Sequence, residues 1–400
     1  MKHSVFPGSR SGTVKIPASK SMAHRLLIAA ALGKDSKILH FDGFSNDIGA
    51  TIVCLRALGA EITELGGGSW RVAPVGTVSD AECSLFCGES GSTLRFLLPI
   101  VGILGANAVF HMEGRLPERP LEPLRTILCE HGMKIEKTGD LLVCSGKLSG
   151  ETFEIPGNVS SQYVTGLLAA LPLLPGSSTL RVTGNVESAA YIAMTEQVLR
   201  MAGIRFEKVG WEYSISGGQM YDLPEHVEVE GDWSNAAFLL ALGEGVTVTG
   251  LRAESLQGDR VCRDMLRRLQ SPGAQLDLTA CPDLGPVLFA AAARAHGAVF
   301  TGTRRLRIKE SDRVAAMAQE LAKLGVRVDA EENRVTVHPG GIAAPREVLD
   351  GHNDHRIVMA LSVLATSVGG TICGAEAVAK SYPDFFEVLQ ALGIRAEIRP

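Results

Sequence analysis

Two patterns of apolar and polar residues recur along the chain. The first is a leucine, three residues, a glycine and then an alternating apolar segment, and it occurs six times, at 55–59, 128–132, 199–203, 269–273, 321–325 and 389–393. Glycine readily takes the left-handed conformation that ends a helix, and alternation is typical of a half-buried strand, so each copy predicts a helix end followed by a strand. The six glycines are 73, 71, 70, 52 and 68 residues apart, which predicts six related repeats.

The second pattern is an alanine- or leucine-rich apolar run that follows a cluster of polar residues. These runs alternate with the first pattern, and their polar clusters begin at Ser19, Ser90, Val159, Ser234, Pro282 and Asn353. Each run predicts a buried helix, which gives twelve helices with short strands between them and an α/β fold. Only the fourth repeat is short, by about twenty residues in both series, so it is expected to lack a pair of strands.

The chain has no long Pro/Gly/Ser-rich linker, so the repeats are expected to pack together rather than hang on flexible tethers. A division into three plus three repeats falls near residue 228, after the loop at 221–224. The alternative interpretation is that the repeats form only a structural scaffold and carry no active site. The polar clusters at the helix starts argue against it, because they carry far more than a cap requires.

Composition narrows the class of protein. The chain has 400 residues, of which 46% are apolar and 21% charged, and no apolar run of transmembrane length. No signal peptide is visible, and the eight cysteines show neither a C-x-x-C pair nor a metal-ligand spacing, so we expect a cytoplasmic protein with reduced thiols and no metal. The net charge of −5 gives no support to nucleic-acid or membrane binding.

Cations collect where the second series of helices begins. Lys20, Arg25, Arg95 and the pair His355-Arg356 lie at these starts, although a helix N-terminus is itself partially positive and repels cations. The placement is explained if a phosphate or carboxylate binds there, since helix N-termini, arginine and lysine all bind anions. The pattern therefore predicts a site for small anions.

Three further clusters join these cations. Arg115, Glu118 and Arg119 lie in the stiff loop G-R-L-P-E-R-P, and the segment 304–313 holds five cations and two acids. Lys380 precedes the turn S-Y-P-D that opens the last helix. Each cluster alone is typical of a solvated surface, and the basic segment lacks the interleaved aromatic residues that nucleic-acid binding favours.

Six motifs carry a resemblance to a known family. P-A-S-K-S-M-A-H-R (17–25), G-R-L-P-E-R-P (114–120), V-S-S-Q (159–162), K-E-S-D-R (309–313), N-D-H-R (353–356) and K-S-Y-P-D-F-F (380–386) resemble those of EPSP synthase, the 3-phosphoshikimate 1-carboxyvinyltransferase of the shikimate pathway. The resemblance implies two similar domains, each of three βαβαββ repeats in an inside-out α/β barrel, with the active site in the interdomain cleft. It places one domain at 14–227 and the other at 1–13 with 228–400.

The resemblance also implies roles for individual residues. The expected contacts of shikimate 3-phosphate are Lys20, Ser21, Arg25, Ser160, Ser161, Gln162, Ser188, Tyr191, Asp283 and Lys309. The expected contacts of phosphoenolpyruvate are Lys20, Gly91, Arg119, Gln162, Arg313, Arg356 and Lys380. The expected catalytic groups are Asp283, Glu310 and Lys20, with Asp283 taking the hydroxyl proton and Glu310 serving the methylene carbon. No metal or organic cofactor is expected, and the enzyme is expected to act as a monomer.

The chain departs from the family pattern at three places. Glu89 stands where many members have asparagine, so an acid beside the donor pocket is expected to need a cation such as Arg95 as partner. Arg305 replaces an asparagine found in some members, and the short fourth repeat places Asp283 only ten residues after Gly273. Gly91 is kept, and this suggests an enzyme sensitive to glyphosate, which competes with phosphoenolpyruvate in this family.

Three rival functions are distinguishable. The sister enzyme that uses UDP-N-acetylglucosamine has Lys-Asn where this chain has Lys20-Ser21, and it has a catalytic cysteine in the loop that here reads G-R-L-P-E-R-P. A non-catalytic protein that binds a phosphorylated metabolite would have no need of Asp283, Glu310 and Lys20 together. A basic nucleic-acid-binding repeat protein is disfavoured by the overall charge and by an aromatic content of 5%.

Overall fold

A computed structural model describes residues 1–76 and 81–399. The described residues form twelve α-helices: α1 (Lys20–Ala31), α2 (Asn46–Ala57), α3 (Gly91–Leu104), α4 (Leu124–Glu130), α5 (Ser161–Ala170), α6 (Ala189–Met201), α7 (Trp233–Leu240), α8 (Cys262–Arg268), α9 (Gly285–Arg294), α10 (Arg313–Lys323), α11 (His355–Val368) and α12 (Phe385–Ala391). Both predicted series of helices are therefore present.

The strands of the same residues number twenty-two. They are β1 (Lys2–Val5), β2 (Gly12–Lys15), β3 (Lys37–His40), β4 (Glu61–Gly66), β5 (Ser69–Ala73), β6 (Cys83–Gly88), β7 (Ala108–Met112), β8 (Met133–Thr138), β9 (Leu141–Gly146), β10 (Thr152–Pro156), β11 (Ser178–Thr183), β12 (Phe206–Val209), β13 (Glu212–Ile215), β14 (His226–Glu228), β15 (Val246–Thr249), β16 (Gln275–Asp277), β17 (Ala298–Thr301), β18 (Val328–Ala330), β19 (Arg334–Val337), β20 (Leu349–Asp350), β21 (Gly370–Cys373) and β22 (Ala396–Arg399).

The strands form six separate sheets, one for each repeat. Five sheets have four strands in the orders β14-β3-β5-β4, β6-β7-β9-β8, β10-β11-β13-β12, β16-β17-β19-β18 and β20-β21-β1-β22. In each of these the first pair is parallel and the two following pairs are antiparallel. The repeated α/β architecture is confirmed, but the strands of the described chain close no barrel, because each sheet ends at its own edges.

The fourth repeat contains only the two-stranded parallel sheet β2–β15. In four of the other repeats a hairpin of two antiparallel strands follows the second helix, and in the sixth α12 is followed by β22, which pairs with the N-terminal strand β1. Here α8 is followed directly by β16 of the next sheet. The absent hairpin accounts for the short interval between Gly273 and Gly325 and for the closeness of Gly273 to Asp283 in sequence.

The glycines of the first pattern end helices as expected. Gly59, Gly132, Gly203, Gly273, Gly325 and Gly393 all have positive φ angles, between 73° and 107°. Each follows the last turn of α2, α4, α6, α8, α10 or α12, where the left-handed conformation turns the chain toward the next strand.

The chain divides into two compact lobes. We call Ala18–Val229 the middle lobe and Met1–Pro17 with Glu230–Pro400 the terminal lobe. Pairing of β2 with β15 keeps the residues up to Pro17 with the terminal lobe, beyond position 14 where the sequence places the change of domain. Each lobe has its own apolar core. The helices of the second series contribute long buried stretches to these cores; α3, for example, is buried from Thr93 to Gly102.

No helix of the described residues combines the length and the apolar character needed to cross a membrane.

Candidate active site

In the terminal lobe, a group of charged side chains surrounds Asp283, and we call it the Asp283 cluster. One carboxylate oxygen of Asp283 lies 2.9 Å from Arg313 NH1 and 3.3 Å from Lys309 Nζ, and the other lies 3.0 Å from Arg356 NH2. The carboxylate keeps 17% of its side chain exposed. Three cations therefore stabilise its charged form, and a ligand can still reach it.

Arg313 links the acids of this cluster. Its side chain is 1% exposed, and its nitrogens donate to Asp283, to Glu310 Oε2 at 2.7 Å and to Asp354 Oδ2 at 2.8 Å. Burial alone would lower the pKa of Arg313, but the charges of Asp354, Glu310 and Asp283 outweigh it and raise that pKa. One guanidinium group thus fixes the two predicted proton carriers, Asp283 and Glu310, at a set separation.

Helix starts bring these residues together. Asp354 is the N-cap of α11 and accepts from the backbone N–H of Arg356, so the cap also aims the Arg356 side chain. In contrast α9 begins from a 3₁₀ turn, Pro282–Leu284, without a side-chain cap. The carboxylate of Asp283 therefore does not have the capping role that serine or aspartate plays at the starts of α1, α3, α5, α7 and α11, and it binds cations instead.

Lys309 and Lys380 are two lysines that the sequence assigns to the substrates in this lobe. Burial, together with Arg305 and Arg313, lowers the pKa of Lys309 to about 8, although Asp283 and Glu310 act in the opposite sense. Lys380 Nζ donates to the carbonyl oxygen of Asn353 at 2.6 Å, and its residue is 8% exposed. Lys380 is thereby attached to the residue just before the Asp354 cap.

In the middle lobe, a second group lies where α3 and α5 begin, and we call it the Gln162 cluster. Gln162 accepts from Arg95 NH1 at 2.8 Å and donates to Ser92 Oγ at 2.9 Å. Gly91 lies against two guanidinium groups, since a Cβ atom there would come 2.5 Å from Arg95 NH1 and 2.8 Å from Arg119 NH1. The predicted donor contacts Gly91, Arg119 and Gln162 are thus adjacent.

The predicted acceptor contacts Ser160, Ser161, Ser188 and Tyr191 lie at the starts of α5 and α6. Ser160 caps α5 and accepts from the N–H of Gln162, and Ser161 is the first residue of that helix. Ser188 has a left-handed backbone, with φ of 55°, just before α6, and Tyr191 lies in the first turn of α6. These residues provide hydroxyl groups at two helix starts, and a helix start is a place that favours phosphate.

Arg25 is buried among helices rather than exposed to a ligand. Its guanidinium donates to Thr195 Oγ1, to the carbonyl oxygens of Ser21 and Tyr191, and to Thr165 Oγ1. Burial lowers its pKa to about 10. The geometry therefore makes Arg25 the connection between α1, α5 and α6, which places the predicted Ser21 and Tyr191 beside each other.

Lys20, the first residue of α1, forms an ion pair of 2.7 Å with Asp47 in the first turn of α2. Both side chains are 14% exposed. Sequence reasoning missed Asp47, because an acid in the first helical turn is ordinarily a favourable charge at a helix start and nothing more.

Three other residues of the site were not assigned a role from the sequence. Arg95 was recognised as a cation at a helix start, but its contact with Gln162 depends on the packing of α3 against α5. Asp354 lies inside the N-D-H-R motif, yet its pairing with Arg313 joins positions 41 residues apart. Asp259 is 2% exposed, and burial and then the charge of Asp283 raise its pKa to about 7; no sequence signal marks it.

The departures at Glu89 and Arg305 have structural counterparts. The Glu89 carboxylate lies directly over Gly114 at the start of the G-R-L-P-E-R-P loop, so a side chain at position 114 would collide with it. Arg305 is buried in the 3₁₀ turn Arg304–Ile308, and its charge contributes to the low pKa of Lys309.

Comparison with known proteins shows the family to which the chain belongs. A family model described as EPSP synthase (3-phosphoshikimate 1-carboxyvinyltransferase) matches residues 7–389. A 3-phosphoshikimate 1-carboxyvinyltransferase of Clostridium kluyveri is 38% identical over 421 residues, covering 98% of this chain and 97% of the relative. The enzyme of the same name from Clostridium acetobutylicum is 37% identical and covers 97% of this chain and 96% of the relative.

Solved structures share the fold. An EPSP synthase from Acinetobacter baumannii superposes with a TM-score of 0.79 at 24% identity, covering 99% of this chain and all of that one. The enolpyruvyl transferase NikO from Streptomyces tendae gives a TM-score of 0.78 at 19% identity and covers 100% of this chain and 99% of that one.

Proposed function

The chain belongs to the EPSP synthase family, and on that premise we propose that Asp283, Glu310 and Lys20 carry the proton transfers of its reaction. The protein is an enolpyruvyl transferase of the shikimate pathway. It moves the enolpyruvyl group of phosphoenolpyruvate to a ring hydroxyl of shikimate 3-phosphate and releases phosphate. Its assigned groups lie in both lobes, with Lys20 in the middle lobe and both acids in the terminal lobe.

The observation that carries the assignment is the fork of Arg313, which binds Asp283 through one nitrogen and Glu310 through another. Addition requires a base for the acceptor hydroxyl and an acid for the methylene carbon at the same time. Two carboxylates fixed on one guanidinium meet that requirement. We assign Asp283 to the hydroxyl proton and protonated Glu310 to the carbon.

The steps then balance. The acceptor oxygen bonds to the middle carbon of phosphoenolpyruvate, its proton passes to Asp283, and Glu310 gives a proton to the methylene carbon to form a methyl group. In the second step a methyl proton returns to the Glu310 carboxylate and the carbon–oxygen bond to phosphate breaks. The proton that Asp283 took from the hydroxyl passes to the departing phosphate oxygen, so hydrogen phosphate leaves and the Asp283 carboxylate is restored. Lys20, held by Asp47, is placed as a cation that stabilises the departing phosphate and as a third proton carrier.

Residues in and beside the Asp283 and Gln162 clusters are assigned to the anionic substrates. We propose that Gly91, Arg119, Gln162, Arg356 and Lys380 hold phosphoenolpyruvate, while Arg313 contributes mainly by fixing the two acids. The serines and Gln162 of α5, with Ser188, Tyr191, Ser21 and Lys309, hold shikimate 3-phosphate. Arg25 acts from behind Ser21 and Tyr191.

We also propose that the protein acts as a monomer in the cytoplasm. All eight cysteines are free thiols, and that state is typical of a reducing compartment.

Phosphate release from phosphoenolpyruvate, measured with and without shikimate 3-phosphate, tests the reaction, and UDP-N-acetylglucosamine serves as the competing acceptor. For the residue roles we expect Asp283→Asn and Glu310→Gln to lower kcat by about 10²–10⁴-fold while both substrates still bind. Exposed Glu332 supplies the control Glu332→Gln, which should be as active as the wild type.

Isotope exchange separates the two acids. In deuterated water the wild type should exchange the methylene hydrogens of phosphoenolpyruvate with solvent when the acceptor is present. Glu310→Gln should lose that exchange together with turnover, because no acid serves the carbon. Near-normal turnover of either variant, or full exchange in Glu310→Gln, would contradict the assignment.

A further inference from the structure

A buried acid lies beneath the loop that leads into α11. Glu320 of α10 has a side chain with 0% exposure, and three groups surround its carboxylate. His352 Nε2 lies 3.0 Å from one oxygen, while the backbone N–H of Asp350 and the Nζ of Lys323 donate to the other, both at 2.8 Å. Lys323 also donates to the carbonyl oxygen of Val348 at 3.2 Å. Glu320 thus fixes 348–352 from below.

The loop has a conformation that needs such support. His352 and Asn353 have φ angles of 49° and 50°, and both are left-handed although neither is glycine. Two consecutive residues of this kind are strained and persist only where surrounding contacts determine them. The imidazole of His352 supplies one contact, and its backbone N–H supplies another by donating to Asp350 Oδ1 at 2.7 Å.

The same loop places groups assigned to phosphoenolpyruvate. The carbonyl oxygen of Asn353 accepts from Lys380 Nζ at 2.6 Å. The next residue, Asp354, caps α11 and accepts from the N–H of Arg356 at 2.9 Å, so the position of that N-cap sets the direction of the Arg356 side chain. A change in the backbone at 352–353 therefore moves both Lys380 and Arg356.

We propose that Glu320, with His352 and Lys323, is a positioning anchor for Arg356 and Lys380, and that protonation of His352 couples phosphoenolpyruvate binding to pH. This inference rests on the proposed function, since it takes Arg356 and Lys380 as contacts of the donor. Neither Glu320 nor His352 touches the reacting atoms, and both act through the loop.

The sign of the pH effect follows from the groups that face His352. The hydrogen bond to Glu320 raises the pKa of His352 most, burial opposes it, Asp350 and the charge of Glu320 raise it further, and Lys323 lowers it; the net direction is above 6.5. His352 is thus charged and paired below pH 6.5, and the pair is lost as pH rises through the raised value. The charged His352–Glu320 pair should therefore hold the loop 348–352 in place in mild acid and hold it less strongly in mild alkali.

The test compares His352→Gln with the wild type by steady-state kinetics across that range. Glutamine can still donate a hydrogen bond to Glu320 but cannot become charged. We expect its KM for phosphoenolpyruvate to exceed that of the wild type by about tenfold near pH 6 and to approach it near pH 8.5, with kcat within about twofold. Lys309 and the substrate phosphates also titrate, so the readout is the ratio of variant to wild type at each pH.

His338→Gln is the matched control. His338 Nε2 lies 2.7 Å from Asp329 Oδ2, much as His352 lies beside Glu320, but at the hairpin β18–β19 of the same lobe, one residue after β19. Its KM should follow the wild type at every pH. A KM ratio for His352→Gln that stays constant with pH, or an equal change in His338→Gln, would overturn the inference.

A second variant distinguishes the effect of the imidazole contact from the effect of the backbone conformation at position 352. His352→Gly favours the left-handed backbone but lacks the imidazole. We expect its KM to match that of His352→Gln near pH 6, and a wild-type KM would show that only the conformation matters. Enolpyruvyl transfer by the wild type is measured in the same series, so its absence would refute the proposed function separately. Glu320→Gln is a less suitable variant, because a substitution at a fully buried charged residue can prevent the protein from folding.

Discussion

Among single residues, Gly91 is the position where a single added methyl group should weaken phosphoenolpyruvate binding most. Its missing side chain makes room for the guanidinium groups of Arg95 and Arg119. We expect Gly91→Ala to raise KM for phosphoenolpyruvate by about tenfold or more, with little change in the KM for shikimate 3-phosphate, since a misplacement of about 1 Å can cost that much. Steady-state kinetics with each substrate varied in turn measures both constants.

Gly176→Ala is the control for that substitution. A Cβ atom at Gly176, also in the middle lobe, would meet nothing within 4 Å, so the variant should bind both substrates normally. Glyphosate should inhibit Gly91→Ala less than the wild type, because the same guanidinium groups are displaced. Equal inhibition of the two enzymes would remove the argument that Gly91 makes this enzyme sensitive.

Lys309 gives a second prediction at this scale, a pH dependence. Because its pKa is lowered to about 8, Lys309 carries its charge below that pH and loses it above. Affinity for shikimate 3-phosphate should therefore fall as pH rises through 8. Lys309→Arg stays charged and should keep its affinity at higher pH, even if it binds less well near neutrality. A calorimetric titration at several pH values tests this, and parallel curves for both proteins would contradict it.

At the scale of secondary-structure elements, the start of α11 combines a cap with a buried ion pair. Asp354 has 0% exposure and accepts from Ser311 Oγ, from Arg313 and from the N–H of Arg356. Burial would raise its pKa, but the charge of Arg313 outweighs it and lowers the pKa. Its contribution to stability is therefore present above pH 3.8 and is lost as pH falls through the lowered value.

Two substitutions separate the stability that comes from the charge of Asp354 from the stability that comes from its capping hydrogen bond. Asp354→Asn keeps a capping oxygen but removes the charge that faces buried Arg313, and it should lower the free energy of unfolding by about 3 kcal/mol. Asp354→Ala should cost about 1 kcal/mol more, because the cap is lost as well. Urea unfolding measures both, with the exposed-pair variant Asp329→Asn as the control. Equal losses for the two Asp354 variants would mean that the cap contributes nothing.

The elements were predictable from the sequence because their signals are local. Glycine at each helix end and a polar cluster before each apolar run predict twelve helices, and the structure confirms them. The pairing of Lys20 with Asp47 and the position of Glu320 under 350–352 were not predictable. In sequence, Glu320 and Lys323 are an ordinary i,i+3 pair on a polar helix face, and only tertiary packing buries them.

For the candidate site, residue types were predictable but partners were not. The family resemblance predicts roles for Asp283, Glu310 and Arg313, and it assigns Arg313 to the donor. The structure shows its guanidinium bound to three carboxylates that come from three separate segments of the chain. Such a convergence depends on how α9, α10 and α11 pack, which the spacing of motifs does not encode.

On the scale of the whole molecule, the repeats form two lobes with separate cores. Buried cysteines lie in both lobes, so the reactivity of their thiols reports on each core. Cys54, Cys87 and Cys144 are buried in the middle lobe, Cys262 and Cys281 in the terminal lobe, and Cys129 is exposed. Burial raises the pKa of Cys87, Cys144 and Cys262 to about 12 and moves those of Cys54 and Cys281 in the same direction. Near neutral pH these five thiols are therefore protonated as well as inaccessible, and they should be inert.

A thiol reagent should accordingly distinguish three classes in the folded protein. We expect Cys129 to react fast, half-buried Cys83 and Cys373 to react slowly, and the other five to react only after denaturation. Absorbance of the released thiolate gives the stoichiometry, mass spectrometry gives the positions, and Cys129→Ser should abolish the fast phase alone. In rising urea, labelling of Cys144 reports the middle lobe and labelling of Cys281, two residues before Asp283, reports the terminal lobe. Fast labelling of Cys281 in the absence of urea would mean that the core behind Asp283 opens in the native state, and it would count against the fixed Arg313 fork on which the proposed chemistry depends.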